Sequence, residues 1–405
     1  MDIKPILSAL SRHRIAATLI TLEIALACAV LCNALFLVAA RLELMRTGSG
    51  VDERALAVVA LSGCDDCNPA DVNARVLGAL RALPGLRAAG QLNAVPFGEP
   101  AANGGIVLDR EGKHFGGVPH FYTLGPGASE ALGLRPVTGR DFIASDFQPY
   151  DFFVPKNANV WITQALAEHL WPGQNPLGRD FWSGDNHFNV AGIVAKFARP
   201  DPGRSEDGIA GAEWSVIVPV RDDAQSGLYV LRADPLDLPG VMQAARAAIV
   251  RAVPEAILDN DRSRTLSELR ERYFRPDHAM TGLLLGVIAA MLLVTALGIV
   301  GLASFWVQQR TKQIGIRRAL GATRKDILRY FQIENFLLAS AGIALGMLLA
   351  YAGNQLLMQY FELARLPAVY LPIGAVLLWL IGQLAVLGPA SRAAAIAPVV
   401  ATRST

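Results

Sequence analysis

The sequence predicts an α-helical membrane protein with four transmembrane helices and a large α+β extracytoplasmic domain, and three observations lead there. Residues 15–40, 279–307, 335–361 and 366–391 are long apolar stretches that together hold a single charge, Glu23. A helix rising 1.5 Å per residue needs about 20 apolar residues to cross the hydrocarbon layer, so each stretch suffices. Between the first and second lie roughly 235 residues of ordinary globular composition, enough for one large or two small domains with their own core. Between the second and third, residues 308–329 carry seven Lys/Arg and one acid. Lys and Arg are retained on the inner side of the membrane, so a short loop this basic orients the whole chain.

Taken in order, residues 1–14 form a cytoplasmic segment with Lys4, Arg12 and Arg14, and residues 15–40 the first span. A cleaved signal peptide is the competing reading of that span, but its apolar run exceeds the usual 7 to 15 residues and no clear cleavage site follows. Residues 41–275 are the exported domain with its stalk, 276–307 the second span and 308–330 the basic cytoplasmic segment. The third and fourth spans are 331–361 and 366–391, and residues 392–405 form a cytoplasmic tail with Arg392 and Arg403. Arg41 and Arg46 oppose this orientation, yet long exported domains cross largely regardless of such charges.

Within the spans, Gly282-x-x-x-Gly286 and Gly342-x-x-x-Gly346 each clear one helical face and are candidate helix contacts. Tyr360, Phe361 and Tyr370 are expected at the outer interface and Trp306 at the inner one. Glu23, the one ionisable residue well inside a span, is expected to face another helix as an intramembrane polar contact. Glu334 lies near the cytoplasmic surface and is expected to cap a helix or to snorkel. Cys28 and Cys32, one turn apart in the first span, read as buried thiols.

In the exported domain, residues 55–61 and 216–220 read as buried strands. Asn68-Pro69 opens a helix with Val72, Val76, Leu80 and Leu83 on one face, and Pro239 opens another with Val241, Ala245, Ile249 and Val253. Interleaved strands and helices imply α+β or small α/β units packed as layers. The Gly/Pro-rich segments 96–105 and 199–211 read as boundaries or exposed loops. Leu266, Leu269 and Tyr273 share a face of a stalk helix. Pro276, which lacks an N–H and crowds the preceding turn, is expected to be a joint before the second span. Cys64-Asp-Asp-Cys67 faces an oxidising compartment and is a candidate disulfide. Its two acids oppose the low thiol pKa that a redox role needs, and there is no second ligand pair for zinc.

The basic segment is more specific than its charge. R-T-K-Q-I-G-I-R-R-A-L-G-A-T-R-K-D-I-L at 310–328 closely resembles the coupling segment of the FtsX-like permeases, the membrane subunits of MacB-type ABC transporters. E-A-L-G-L-R-P-V-T-G-R-D-F at 130–142, I-T-Q-A-L-A-E-H-L-W-P-G-Q-N-P-L-G-R at 162–179 and N-V-A-G-I-V-A at 189–195 resemble the periplasmic core domain of the same family. P-A-S-R-A-A-A-I-A-P-V at 389–399 resembles its C-terminal motif. The resemblance spans most of the chain and is weakest at 61–69 and 196–213. It implies a multi-pass permease subunit of the inner (plasma) membrane that couples ATP hydrolysis by a separate ABC ATPase to motion of the periplasmic domain, for export or efflux. Implied partners are that ATPase, a second permease copy or a similar permease, a periplasmic adaptor and an outer-membrane channel. The resemblance places the ATPase contact on Gln313, Ile314, Gly315, Ile316, Arg317, Arg318, Leu320, Gly321, Ala322, Arg324 and Ile327.

The residues themselves argue against other classes. There is no G-x-x-x-x-G-K-[ST] loop to cradle phosphates, and Gly321-Ala-Thr-Arg-Lys does not meet that spacing. The chain is therefore expected to bind no cofactor, with ATP and Mg held by the partner ATPase. Neither H-E-x-x-H nor G-x-S-x-G occurs, so no catalytic or metal residue is assigned, and no nucleic acid is expected among the partners. Ile314, Ile316, Leu320, Ile327 and Leu328 form an apolar set inside a basic segment, which suits docking into a partner's groove. Gly315 and Gly321 permit tight turns or close backbone approach. Three other readings are a mechanotransmitting regulator of a cell-wall hydrolase, a lipoprotein-extracting permease, and a membrane-anchored binding module that works without an ATPase. Copurifying partners separate them.

Overall fold

The computed structural model describes residues 14–62, 67–149, 154–205, 207–223, 227–361 and 365–395. Lys4, Arg12, Arg403, Cys64 and the last part of the 389–399 motif lie outside the described residues. The chain divides into a membrane unit, up to Leu42 and from Asp277 onward, and an exported unit, Glu43–Pro276. Helix α1 (Arg14–Met45) is the first of four among the described residues that are long and apolar enough to cross a membrane.

In the exported unit, β1 (Leu56–Ser62) buries Val58 and Ala60 on one face and Val59 and Leu61 on the other, so it must be covered on both sides. Asn68 accepts a hydrogen bond from the Ala70 N–H (2.9 Å) and Pro69 presets φ, which starts α2 (Pro69–Arg81) where capping dictates and buries Val72, Val76 and Leu80. With β2 (Leu86–Gln91), β9 (Leu228–Ala233) and β10 (Ile257–Asp259), β1 forms a four-stranded antiparallel sheet in the order β10-β1-β9-β2. Helices α2 and α5 (Leu238–Ala252) cover one face through Val76, Leu80, Ala245 and Ile249, set on Val59, Tyr229 and Leu231.

The second sheet is mixed. It runs β3 (His120–Leu124), β8 (Ser215–Pro219), β5 (Asn157–Thr163), β7 (Asn186–Val194), β4 (Thr138–Gly139), with β6 (Asp180–Ser183) also on β7. Short helices α3 (Ala128–Leu132) and α4 (Gln164–Leu170) complete it. Val58, Ala60 and Val230 of the first sheet share one core with Tyr122, Leu124, Trp161 and Ile217 of the second, so the exported unit is a single α+β body of two sheets. His120 is fully buried with its ring steeply tilted against that of Tyr122 (centroids 4.6 Å apart, planes at 70°). Burial, with the Arg199 guanidinium nearby, lowers its pKa to about 3.

Segments 96–105 and 199–211 are more than exposed loops. Phe97 and Ala102 are buried, and Arg199 is 1% exposed, donating to Val118 O and Asp201. Their Gly and Pro residues make turns whose neighbours enter the core, which composition does not reveal.

Helix α6 (Leu266–Gln309) opens on a capping box. The Thr265 N–H donates to Glu268 Oε2 (2.9 Å) and the Glu268 N–H to Thr265 Oγ1 (3.2 Å). It continues through Pro276, so the joint expected there is not a helix end. Proline removes one rung of the ladder, and the turns on both sides carry the helix past it. Helices α7 (Thr311–Ala319), α8 (Arg324–Phe361) and α9 (Tyr370–Ala395) follow.

In the membrane unit, the glycines show how the helices meet. A Cβ on Gly342 would lie 2.8 Å from Ile24 Cβ and 2.9 Å from Thr21 O, and one on Gly346 would lie 2.5 Å from Cys28 Cβ and 2.6 Å from Ala25 O. The backbones of α1 and α8 therefore touch, as the small-residue spacing predicts. Gly374 brings α9 onto Cys32, and Gly298 brings α6 onto the Glu23 carboxylate, so Glu23 faces another helix as expected. Gly282 and Gly286 meet nothing within 4 Å, and that pair makes no helix contact among the described residues. Cys28 and Cys32 are buried and free, while Cys67 is disulfide-bonded. Arg41 pairs with the buried Asp277 (2.8 Å), which compensates a charge that had opposed the topology. Tyr370 packs on Phe36, with ring centroids 5.6 Å apart.

Candidate coupling site on the cytoplasmic side

The basic segment folds as a helix and a corner. Helix α6 ends at Gln309, and the helical hydrogen bonds resume when the Ile314 N–H donates to Arg310 O (2.9 Å), opening α7. Its exit is a Schellman motif: Gly321 has φ +101°, its N–H donates to Arg318 O (3.1 Å), and the Ala322 N–H donates to Arg317 O (3.0 Å). The next residue begins a capping box for α8, with the Thr323 N–H on Asp326 Oδ2 (2.9 Å) and the Asp326 N–H on Thr323 Oγ1 (3.2 Å). Two capping devices back to back leave little slack in residues 320–323. Gly321 is required here for its backbone angle, since nothing stands within 4 Å of where its Cβ would be.

The apolar set divides in two. Ile314 and Ile327 are 5% and 4% exposed and join Val307, Phe331, Ala390 and Ala393 in a small core under α7, with Gly315 buried beside them. The Arg318 guanidinium donates to Ala394 O (3.1 Å) and ties α7 to the end of α9. Ala322 and Leu328 are partly buried against the same core. Ile316 and Leu320, one turn apart, are 56% and 82% exposed. Gln313, Arg317, Gly321 and Arg324 are exposed with them, and Arg317 lies over the Tyr330 ring at 4.9 Å. Of the eleven residues singled out from the sequence, then, Ile314, Gly315 and Ile327 build the platform and Gln313, Ile316, Arg317, Leu320 and Arg324 form its outward face.

One expectation at this end is corrected. Glu334 does not snorkel to the surface: both its carboxylate oxygens accept from Arg310 Nη1, at 2.9 and 3.0 Å, and both residues are buried. Trp306 is buried in the helix core with the Arg310 guanidinium 5.7 Å from its ring. A buried charge needs a partner, and the turn between α6 and α7 brings together residues 24 positions apart. No local spacing signals such a pair.

The chain is similar to several known proteins. Residues 285–398 match the family described as FtsX-like permease C-terminal. The chain is 26% identical over 291 residues to the uncharacterized ABC transporter permease YknZ of Bacillus subtilis (strain 168), covering 69% of this chain and 68% of that one. It is 30% identical over 259 residues to the macrolide export ATP-binding/permease protein MacB of Nitrosomonas europaea, covering 60% of this chain and 36% of MacB. It is also 31% identical over 246 residues to the pyoverdine export ATP-binding/permease protein PvdT of Pseudomonas putida, covering 58% and 36%. The chain thus spans little more than a third of the length of these two fused proteins. Among solved structures, the extracellular domain of a YknZ transporter from Gram-positive bacteria is 14% identical at a TM-score of 0.34, covering 51% of this chain and all of that one. Residues 285–398 are an FtsX-like permease C-terminal domain, and the chain is similar to ABC transporter permeases of the MacB and YknZ type.

Proposed function

We propose that this chain is the membrane subunit through which a separate ABC ATPase, which holds ATP and Mg, drives the exported domain. The reading rests on one observation: Ile316 and Leu320 stand exposed on a capped corner whose Ile314 and Ile327 are buried. An exposed apolar pair ringed by Gln313, Arg317 and Arg324 suits insertion into a groove on a partner with an acidic rim. The ATP-binding/permease names of MacB and PvdT support an ATPase as that partner, and their export names support outward transport. The working assembly is a dimer with a second copy or a similar permease, joined by a periplasmic adaptor and an outer-membrane channel.

Burying one Leu side chain contributes about 1.5–3 kcal/mol, or roughly 10- to 100-fold in affinity. Leu320→Asp should therefore weaken copurification of the ATPase at least tenfold while the permease stays monodisperse. Ile314→Ala should instead lower the stability of the permease itself. Undiminished ATPase copurification by Leu320→Asp and Ile316→Asp alike would leave the segment as a topology signal only.

A further inference from the structure

An apolar cavity of about 230 Å3 opens in the exported unit between the first turns of α6 and the sheet containing β1 and β9. Val58, Val95, Leu228 and Leu269 line it and are buried, and the rings of Phe97 and Tyr273 wall it. Four charged side chains surround the mouth: Glu99, Asp261, Arg262 and Arg272.

Phe97 is held there at a cost. The Gly98 N–H donates to Val95 O (3.0 Å), closing a turn with Pro96 at its second position and Phe97 at its third, where φ is +63°. That position in a turn led by proline favours glycine, and a bulky residue with positive φ is a true outlier. Contacts hold it in place: the Phe97 ring lies 5.4 Å from that of Phe274 and 5.8 Å from that of Tyr273, and the Arg270 guanidinium sits 4.8 Å from it. Strain kept at the wall of a cavity is the kind of feature that accompanies ligand sites.

Size and charge select the occupant. An apolar cavity of about 150 Å3 takes benzene, and this one is half as large again, which suits a bicyclic aromatic. Aromatic walls favour tilted or offset ring contacts with such a body. At the mouth, Arg262 pairs with Glu99 (3.0 Å) and Arg272 with Asp261 (3.7 Å), so both signs are presented. Exposed pairs of this kind are weak and exchange readily for the charges of a ligand. We propose that the cavity binds a small aromatic zwitterion of the amino-acid type, its ring system inside, its carboxylate on Arg262 and its ammonium on Glu99. The site is independent of any coupling to an ATPase.

The test is equilibrium dialysis of L-tryptophan against the full chain in lipid nanodiscs, with empty nanodiscs as the blank. Indole-3-acetate and tryptamine, each keeping one of the two charges, serve as comparison probes. Saturable binding of tryptophan is expected, with each single-charge probe about fivefold weaker, the worth of one exposed charge contact. Leu228→Phe, which fills the cavity, should abolish binding. Arg262→Gln should weaken tryptophan about fivefold and leave tryptamine no weaker, a split that general loss of fold does not produce. The proposal is overturned by absent binding to the wild type, by equal affinity for all three probes, by undiminished binding to the filled variant, or by parallel losses for tryptophan and tryptamine in Arg262→Gln.

Discussion

Replacing Gly346 by alanine adds one methyl group where α1 and α8 have no room for it. Its Cβ would stand 2.5 Å from Cys28 Cβ and 2.6 Å from Ala25 O, and 3.1 Å from Ala25 Cα. Carbon atoms rest about 3.5–4.0 Å apart, so the helices must separate by about 1 Å along this seam. Backbone atoms of α1 are among those met, so no side-chain rotation relieves the contact. Overpacking of this kind costs about 1–3 kcal/mol, against which alanine recovers up to about 1 kcal/mol of helix propensity over glycine. With backbone atoms among those met, the cost falls in the upper part of that range, about 2–3 kcal/mol, and the expected net loss is about 1–2 kcal/mol, a drop of roughly 2–8 °C for a unit of this size. Gly286→Ala is the matched control, since nothing lies within 4 Å of that position and the same propensity gain applies. The assay is heat-induced loss of monodisperse permease in one detergent at matched concentration. Equal midpoints for Gly346→Ala and wild type, or an equal drop for Gly286→Ala, would refute the assignment of this seam.

Two further outcomes follow from buried ionisable groups. Arg310→Met takes from the buried Glu334 carboxylate the guanidinium donor that both its oxygens accept from, and should cost about 3–5 kcal/mol; adding Glu334→Met should recover most of it, and thermal stability of the single and double variants separates the cases. In the exported unit, His120 stays neutral down to about pH 3, whereas an unfolded histidine titrates near 6.5, so below pH 6.5 the unfolded state gains protons that the folded state refuses. The stability this neutral histidine supports is complete above pH 6.5 and falls by about 2 kcal/mol by pH 5. Neither ring nitrogen has a hydrogen-bond partner among the described residues, so His120→Phe should remove this slope without orphaning another group, and melts of both proteins between pH 7.5 and 5 would show an unchanged slope if another group were responsible.

The sequence by itself determined the features that depend on composition and short-range spacing. Four apolar runs gave the spans, and one basic loop gave their direction, because crossing hydrocarbon is decided by length and charge before any packing. The starts of α2 and α5 could be placed from Asn68, Pro69 and Pro239, since caps act within one turn. Glycine spacing nominated two helix contacts, but a clear face states only that a partner would fit. The tertiary structure seated α1 on Gly342 and Gly346 and left Gly282 and Gly286 open. It also divided the coupling segment: Ile314 and Ile316 are alike in the sequence, and only the packing of α7 on α6, α8 and α9 buries one and exposes the other. The Arg310–Glu334 pair, the buried Arg199 and the cavity behind Phe97 were invisible for the same reason. Each joins residues far apart in the chain whose chemistry is settled by what lies across the gap, and local sequence carries no record of that neighbour.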